Sequence, residues 1–179
     1  QILLLRSFFF LIALIIFLSL TYKKNTFKII KNSGFPAVIG GFFLSLSFIA
    51  YTFAITSTTV ANVVFIISTQ TVFLAIFGYF FLKEKVSLIS FFSILLAMGG
   101  ITIMVGDSIS TGSFFGNIVA LAIPINFSIL VMIIRKFPKL DMVPAIFYSG
   151  IFACFYGLIF SDSLNFTTHD ILMGFILGV

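Results

Sequence analysis

Residues 60–85 read VANVVFIISTQTVFLAIFGYFFLKEK. Val60–Leu82 is a run of 23 residues without a charge, and Lys83, Glu84 and Lys85 follow at once. At ~1.5 Å per residue a helix of this length rises about 35 Å. That is enough to cross the ~30 Å hydrocarbon core of a bilayer. The run lacks the strict alternation of a barrel strand. Hydrocarbon offers backbone groups no water partner, so the run is read as a transmembrane helix. The two lysines suit a helix C-terminus and mark its exit from the membrane.

Five similar runs flank it: Ile2–Leu20, Phe35–Ile55, Leu88–Val105, Phe114–Ile134 and Val143–Phe160. A seventh begins near Asp170. Composition agrees with this reading. Of 179 residues, 61% are hydrophobic and 8% charged, with a mean hydropathy of +1.29. A soluble domain carries roughly 25% charged residues. The values exclude a soluble enzyme, a disordered chain, a secreted disulfide scaffold and a nucleic-acid-binding domain. The single cysteine, Cys154, has no intramolecular partner and is read as a small packing residue. His169 and the five acids show no metal-ligand spacing, and no catalytic, cofactor or metal residue is assigned. The fold class is an all-α polytopic membrane protein in a lipid bilayer.

Orientation follows from the basic residues. The six connections carry 4, 0, 2, 0, 3 and 0 lysines and arginines in turn. The positive-inside rule places the odd connections in the cytoplasm and the even ones outside. The first run then enters from the outside; a cytoplasmic N-terminus would require an odd number of helices before Gln1, one being the simplest case. No connection is long enough for a catalytic domain, so any activity lies within the bilayer.

The helical faces are unequal. At 100° per residue, Gly40, Gly41, Leu44, Ser45, Ser47, Phe48, Tyr51, Thr52 and Ala54 share one half of the second run. Phe42, Phe43, Leu46, Ile49, Ala50 and Phe53 share the other. The small and polar half is expected against protein or a cavity, and the bulky half against acyl chains. In the third run Asn62 and Thr69 share a face, and Ser68, Thr69, Gln70 and Thr71 cluster near the middle. An unpaired amide in hydrocarbon costs roughly 2–7 kcal/mol, so Gln70 requires a partner or water. An interhelical hydrogen bond and a polar wall of a substrate path both meet that need.

In the fifth run Asn117, Leu121, Pro124 and Ser128 form one stripe, and Pro124 is expected to kink the helix. Ser90, Ser93, Ala97 and Gly100 in the fourth run are expected at a close helix contact, as are Ser149, Ala153 and Gly157 in the sixth. Glu84 is read as an interfacial ion-pair partner. No visible run has a central carboxylate, which argues against a carboxylate proton relay.

The stretch Tyr51–Asp107 carries a resemblance. Ala54-Ile55 ends an aromatic-rich helix, a short loop precedes Ala61-Asn62, Leu82-Lys83-Glu84 ends the next helix, and Gly99-Gly100 follows near the end of the one after. In this order and spacing the elements resemble the EamA-type domain of the drug/metabolite transporter superfamily. The family often has Pro mid-helix where this chain has Thr69-Gln70-Thr71. That departure leaves the local kink, and the shape of any pocket there, open.

The resemblance implies ten helices in two inverted five-helix repeats. This chain would be a fragment with six full helices and the start of a seventh. Residues 1–107 would complete the first repeat as helices two to five, 108–113 would be the inter-repeat loop, and 114–179 would begin the second repeat with helices six, seven and part of eight. The implied function is a secondary transporter, or permease, in a bacterial inner membrane. It would move small metabolites such as amino acids and other neutral or zwitterionic solutes by alternating access, outward rather than inward. From the residues themselves, Tyr51, Asn62, Thr69, Gln70, Asn117, Pro124 and Ser128 form the candidate substrate path. No residue identifies a coupling ion. A non-transporting membrane scaffold or assembly subunit is the competing class, in which the polar side chains only hold helices together.

Overall fold

The computed structural model describes residues 2–85, 87–111, 113–160 and 167–178. Every regular element among them is helical. In chain order these are α1 (Ile2–Tyr22), a 3-10 turn (Lys23–Asn25), α2 (Thr26–Asn32), α3 (Gly34–Ser57), α4 (Val60–Ser68), α5 (Gln70–Leu82), α6 (Leu88–Thr111), α7 (Phe114–Lys136), α8 (Val143–Ile159) and α9 (Thr168–Gly178). Four stretches are long and apolar enough to cross a membrane: Leu4–Tyr22, Gly34–Ser57, Val60–Leu82 and Phe114–Lys136. Leu88–Ile103 and Val143–Ile159 are shorter apolar helices. Helix α6 continues through Asp107 to Thr111, so most of the stretch expected as a loop is helical. Its Gly and Ser residues weaken a helix without stopping it, and no Pro intervenes.

The third run differs from a plain helix. It breaks at Thr69 into α4 and α5 although no proline is present. Thr69 has φ −75° and ψ 0°, right-handed but flattened from the usual helical ψ. The Ser68 hydroxyl donates to the Phe65 carbonyl at 2.6 Å, and the Thr69 hydroxyl donates to the Ile66 carbonyl at 2.6 Å. Such local bonds satisfy carbonyls that a continuing helix would use, and so compete with it.

The chain forms two compact units. The first contains residues 1–45 and 137–179. Within it α1 packs along α8 and α9, with small residues at the contacts. A Cβ on Gly157 would lie 2.8 Å from Leu4 Cα, and one on Gly174 would lie 2.5 Å from Leu5 Cβ. The expected small-residue face of α8 is buried at Ser149, Ala153 and Gly157. A Cβ on Gly41 of α3 would meet the Ala145 carbonyl oxygen of α8 at 2.6 Å. At one end of this unit the Tyr22 hydroxyl donates to Asp141 Oδ2 at 2.5 Å.

The second unit contains residues 46–136. Helix α7 is its spine and packs on α4, α5 and α6. Its buried face includes Asn117, Pro124 and Ser128 of the expected stripe, with Ala120 in addition, while Leu121 of that stripe is half-buried. The helix is continuous through Pro124. A cluster of Ala50, Ala54, Val63, Ile66, Ala120 and Ile123 ties α3, α4 and α7 together.

The face expected to be small and polar in α3 is the buried one. Gly40, Gly41, Leu44, Ser45, Ser47 and Ala54 are buried, whereas Phe42 and Phe53 are exposed. Ala50 joins the buried set against expectation. Its methyl group fits the cluster on α4 and α7 that a wheel of one helix cannot show.

The two glycines of α6 differ in what they face. A Cβ on Gly99 would meet nothing within 4 Å, and one on Gly100 would meet only the Phe65 ring, at 3.3 Å. No backbone approaches this glycine pair among the described residues. On the small side of α6, Ser90, Ala97 and Gly100 are half-buried and Ser93 is exposed, and Gly100 is where the contact is close.

Candidate functional site

The candidate residues all lie in the second unit, at three levels. At the α3–α4 turn, Thr59 has extended backbone and its hydroxyl accepts from the Asn62 backbone N–H at 3.2 Å, capping α4. The first turn of α7 lies against this turn. A Cβ on Gly116 would stand 2.6 Å from Ser57 C and O and 2.8 Å from Thr58 N, so only glycine permits the approach. The Thr58 hydroxyl donates to Asn117 Oδ1 at 2.7 Å. Asn62 Nδ2 donates to Thr58 Oγ1 at 3.2 Å and to Asn117 Oδ1 at 3.4 Å. Asn117 is fully buried, and its Nδ2 has no partner among the described residues. The structure thus brings Asn62 and Asn117 together as a polar clasp near helix ends. Thr58, which joins them, was not among the sequence candidates. Its signal was an uncharged Thr/Ser turn between two apolar runs, paired with a glycine just before Asn117.

The second level is the α4–α5 break. At the break the Thr69 N–H donates to the Ile66 carbonyl at 3.1 Å and the Thr69 carbonyl accepts from the Val72 N–H at 2.9 Å, so the backbone stays paired through local turns. The break opens on a cavity of about 400 Å³ whose polar lining is Ser68, Thr69 and Thr71 from the break and Ser93 from α6. Thr69 is itself buried. Gln70 is half-buried and makes no side-chain hydrogen bond among the described residues. Tyr51 is half-buried and rests against the α3–α4–α7 cluster. Ser128 is buried and its hydroxyl donates back to the Pro124 carbonyl at 2.6 Å. On the same helix the Ile123 carbonyl accepts from the Ser47 hydroxyl at 3.3 Å. These bonds occupy carbonyls beside the proline.

The third level is the end of α5. The helix stops at Lys83, whose φ of 54° and ψ of 31° are left-handed, a conformation usually left to glycine at helix ends. The backbone N–H groups of Lys83 and Glu84 both donate to the Gly78 carbonyl. This turn folds Glu84 back over its own helix. A Cβ on Gly78 would lie 2.6 Å from Glu84 Oε2, so the glycine makes room for the carboxylate. Arg135 Nη1, from the last turn of α7, donates to Glu84 Oε2 at 2.9 Å and to Oε1 at 3.1 Å. The side chains are 43% and 48% exposed, so the pair contributes at most about 1 kcal/mol to stability. A cleft of about 340 Å³ lies beside the pair, with Thr71, Glu84, Lys85, Ser90 and Arg135 as its polar lining. Thr71 borders this cleft and the cavity at the break.

Sequence reading identified Glu84 as an ion-pair partner but assigned Arg135 to topology alone. It sought charge at helix centres, whereas this site draws charge from two helix ends. No group of three or more His, Cys, Asp or Glu residues could hold a metal among the described residues.

Comparison with curated proteins and with solved structures gives no match. The model of the EamA-like transporter family matches residues 1–106, more than half of the chain. Together with the spanning helices, that match establishes that the chain belongs to the EamA-like transporter family.

Proposed function

We propose that this membrane transporter chain is part of a secondary transporter that exports small neutral or zwitterionic metabolites by alternating access. One observation carries the reading: a transmembrane run broken at Thr69, with its hydroxyl-rich break open to a cavity beside α6. Irregular backbone at membrane depth is tolerated where it is buried in protein or lines a water-filled space. Broken helices are the usual way transporters place polar groups at a binding site. Thr69 and Gln70 form the centre of the path. Tyr51, Asn62, Asn117, Pro124 and Ser128 shape it from α3, α4 and α7. The family match supports the ten-helix, two-repeat organisation. In that organisation residues 1–107 belong to the first repeat, 108–113 to the junction, and 114–179 to the second. Charge alternation supports cytoplasmic odd connections in a bacterial inner membrane.

Flux through the intact protein in proteoliposomes tests the proposal. Uptake of labelled neutral amino acids above empty vesicles, reduced by Gln70→Leu and Thr69→Val, is the expected result. Flux no greater than in empty vesicles for every solute would assign the chain to the scaffold class instead.

A further inference from the structure

The cleft at the end of α5 holds charges that the proposed path does not use. Arg135 engages Glu84 through Nη1 alone. A guanidinium has five N–H donors in a planar fork, so Nε and Nη2 remain uncommitted among the described residues. Lys85 lines the same cleft and adds a second cation. Thr71 and Ser90 add hydroxyls on the other walls. With one carboxylate against two cations, the lining carries a single net positive charge. Its volume of about 340 Å³ falls in the range of small-molecule sites.

We propose that this cleft is a binding site for a small zwitterionic solute, recognised chiefly through its carboxylate. The inference rests on the transport reading above and names the site at which such a solute is held. The open edge of the Arg135 guanidinium and the Lys85 ammonium receive the carboxylate; planar bidentate recognition of carboxylates is what arginine does best. Glu84 already accepts from Arg135, and its remaining lone pairs receive the solute's ammonium group. Thr71 and Ser90 supply neutral hydrogen bonds. The same Glu84 disfavours a dianion such as a phosphate ester, since a like charge would sit beside it without compensation. Gly78 is the positioning residue: a side chain there would displace the carboxylate that orients Arg135.

The test is ligand-induced thermal stabilisation of the intact protein in nanodiscs of phosphatidylcholine. An equimolar mixture of the neutral L-α-amino acids is the probe. Their carboxamides, their N-acetyl derivatives and inorganic phosphate are the comparison ligands, and nanodiscs containing phosphatidylglycerol form the lipid arm. The mixture should raise the midpoint. The carboxamides, which lack the carboxylate, and the N-acetyl derivatives, which lack the ammonium, should not. Arg135→Gln and Lys85→Gln should each weaken the response by at least about tenfold, the loss expected for one charge-assisted bond. Lys139→Gln, the same charge change outside the cleft, should leave it intact.

The unliganded midpoint reports whether Arg135→Gln folds; if it does not, Lys85→Gln and Thr71→Val decide alone. No response to the mixture, an equal response to phosphate or to phosphatidylglycerol alone, or a response unchanged in both charge variants would overturn the site. Binding without flux would leave the site standing and refute the transport reading. Flux unchanged in both charge variants would do the reverse.

Discussion

The clasp between the α3–α4 turn and α7 gives the sharpest test of the packing, through Gly116→Ala. The new Cβ would sit 2.6 Å from Ser57 C and O and 2.8 Å from Thr58 N, whereas ordinary contact begins near 3.4 Å. All three neighbours are backbone, so no rotamer change relieves the clash. The turn and α7 must separate by roughly 0.8 Å, and overpacking of this kind costs about 1–3 kcal/mol. The movement also stretches the Thr58–Asn117 bond beyond its 2.7 Å. A membrane-buried interhelical hydrogen bond contributes about 0.6 kcal/mol on average. Against this, alanine is better than glycine in a helix by about 1 kcal/mol. The net expectation is a loss of about 0.5–2.5 kcal/mol. The control is Gly99→Ala, whose Cβ would meet nothing within 4 Å. It should be neutral or stabilising by up to about 1 kcal/mol. Reversible unfolding in mixed detergent micelles, with both variants measured side by side, reads the difference. Equal stability of the two variants, or a gain from Gly116→Ala, would refute the close approach.

Three further outcomes are expected. Gly78→Ala should be more stabilising in a Glu84→Ala background than alone, by about 0.5–1 kcal/mol, because the clash with the carboxylate disappears; an additive double-mutant cycle would contradict that geometry. Asn117→Leu should destabilise by about 1–3 kcal/mol, since it removes the shared acceptor of Thr58 and Asn62, while Gln70→Leu should change unfolding by under about 1 kcal/mol and lower flux; the reverse ranking in unfolding and flux assays would make Gln70 the structural residue. Cysteines placed at Lys28 and at Thr56, with Cys154 replaced, should react differently with an impermeant external thiol reagent, Thr56 reacting and Lys28 not; equal labelling would overturn the orientation.

Most of the fold was legible because hydrophobic length is a one-dimensional signal. The apolar runs reappear as helices whose ends lie close to the charges that bound them. What escaped was backbone chemistry without a marker residue. Breaks are usually sought at proline, yet α4 ends at Thr69 through hydroxyl bonds to the preceding turn. Conversely, Pro124 sits inside a continuous helix, where hydroxyl donors from Ser47 and Ser128 engage the Ile123 and Pro124 carbonyls. Small residues were also ambiguous. Gly116 and Gly157 mark close contacts, whereas Gly99 faces open space. The difference lies in what stands opposite, which a single helix cannot reveal.

The site divides along the same line. Asn62 and Asn117 were legible as polar residues in apolar runs, but their meeting depends on Thr58 and on the missing side chain of Gly116. Glu84 was legible as an interfacial ion-pair partner, but Lys85 and Arg135 only as topology, because at a helix end basic charge normally reports the membrane boundary. Two local features bring the charges together. The left-handed Lys83 reverses the chain, so that Glu84 returns over Gly78, and the last turn of α7 brings Arg135 to meet it. A charge at the membrane centre is costly, whereas these side chains remain nearly half exposed and keep much of their hydration. Thr71 borders both the charged cleft and the cavity at the break, so in the proposed reading a solute moving between them would pass it.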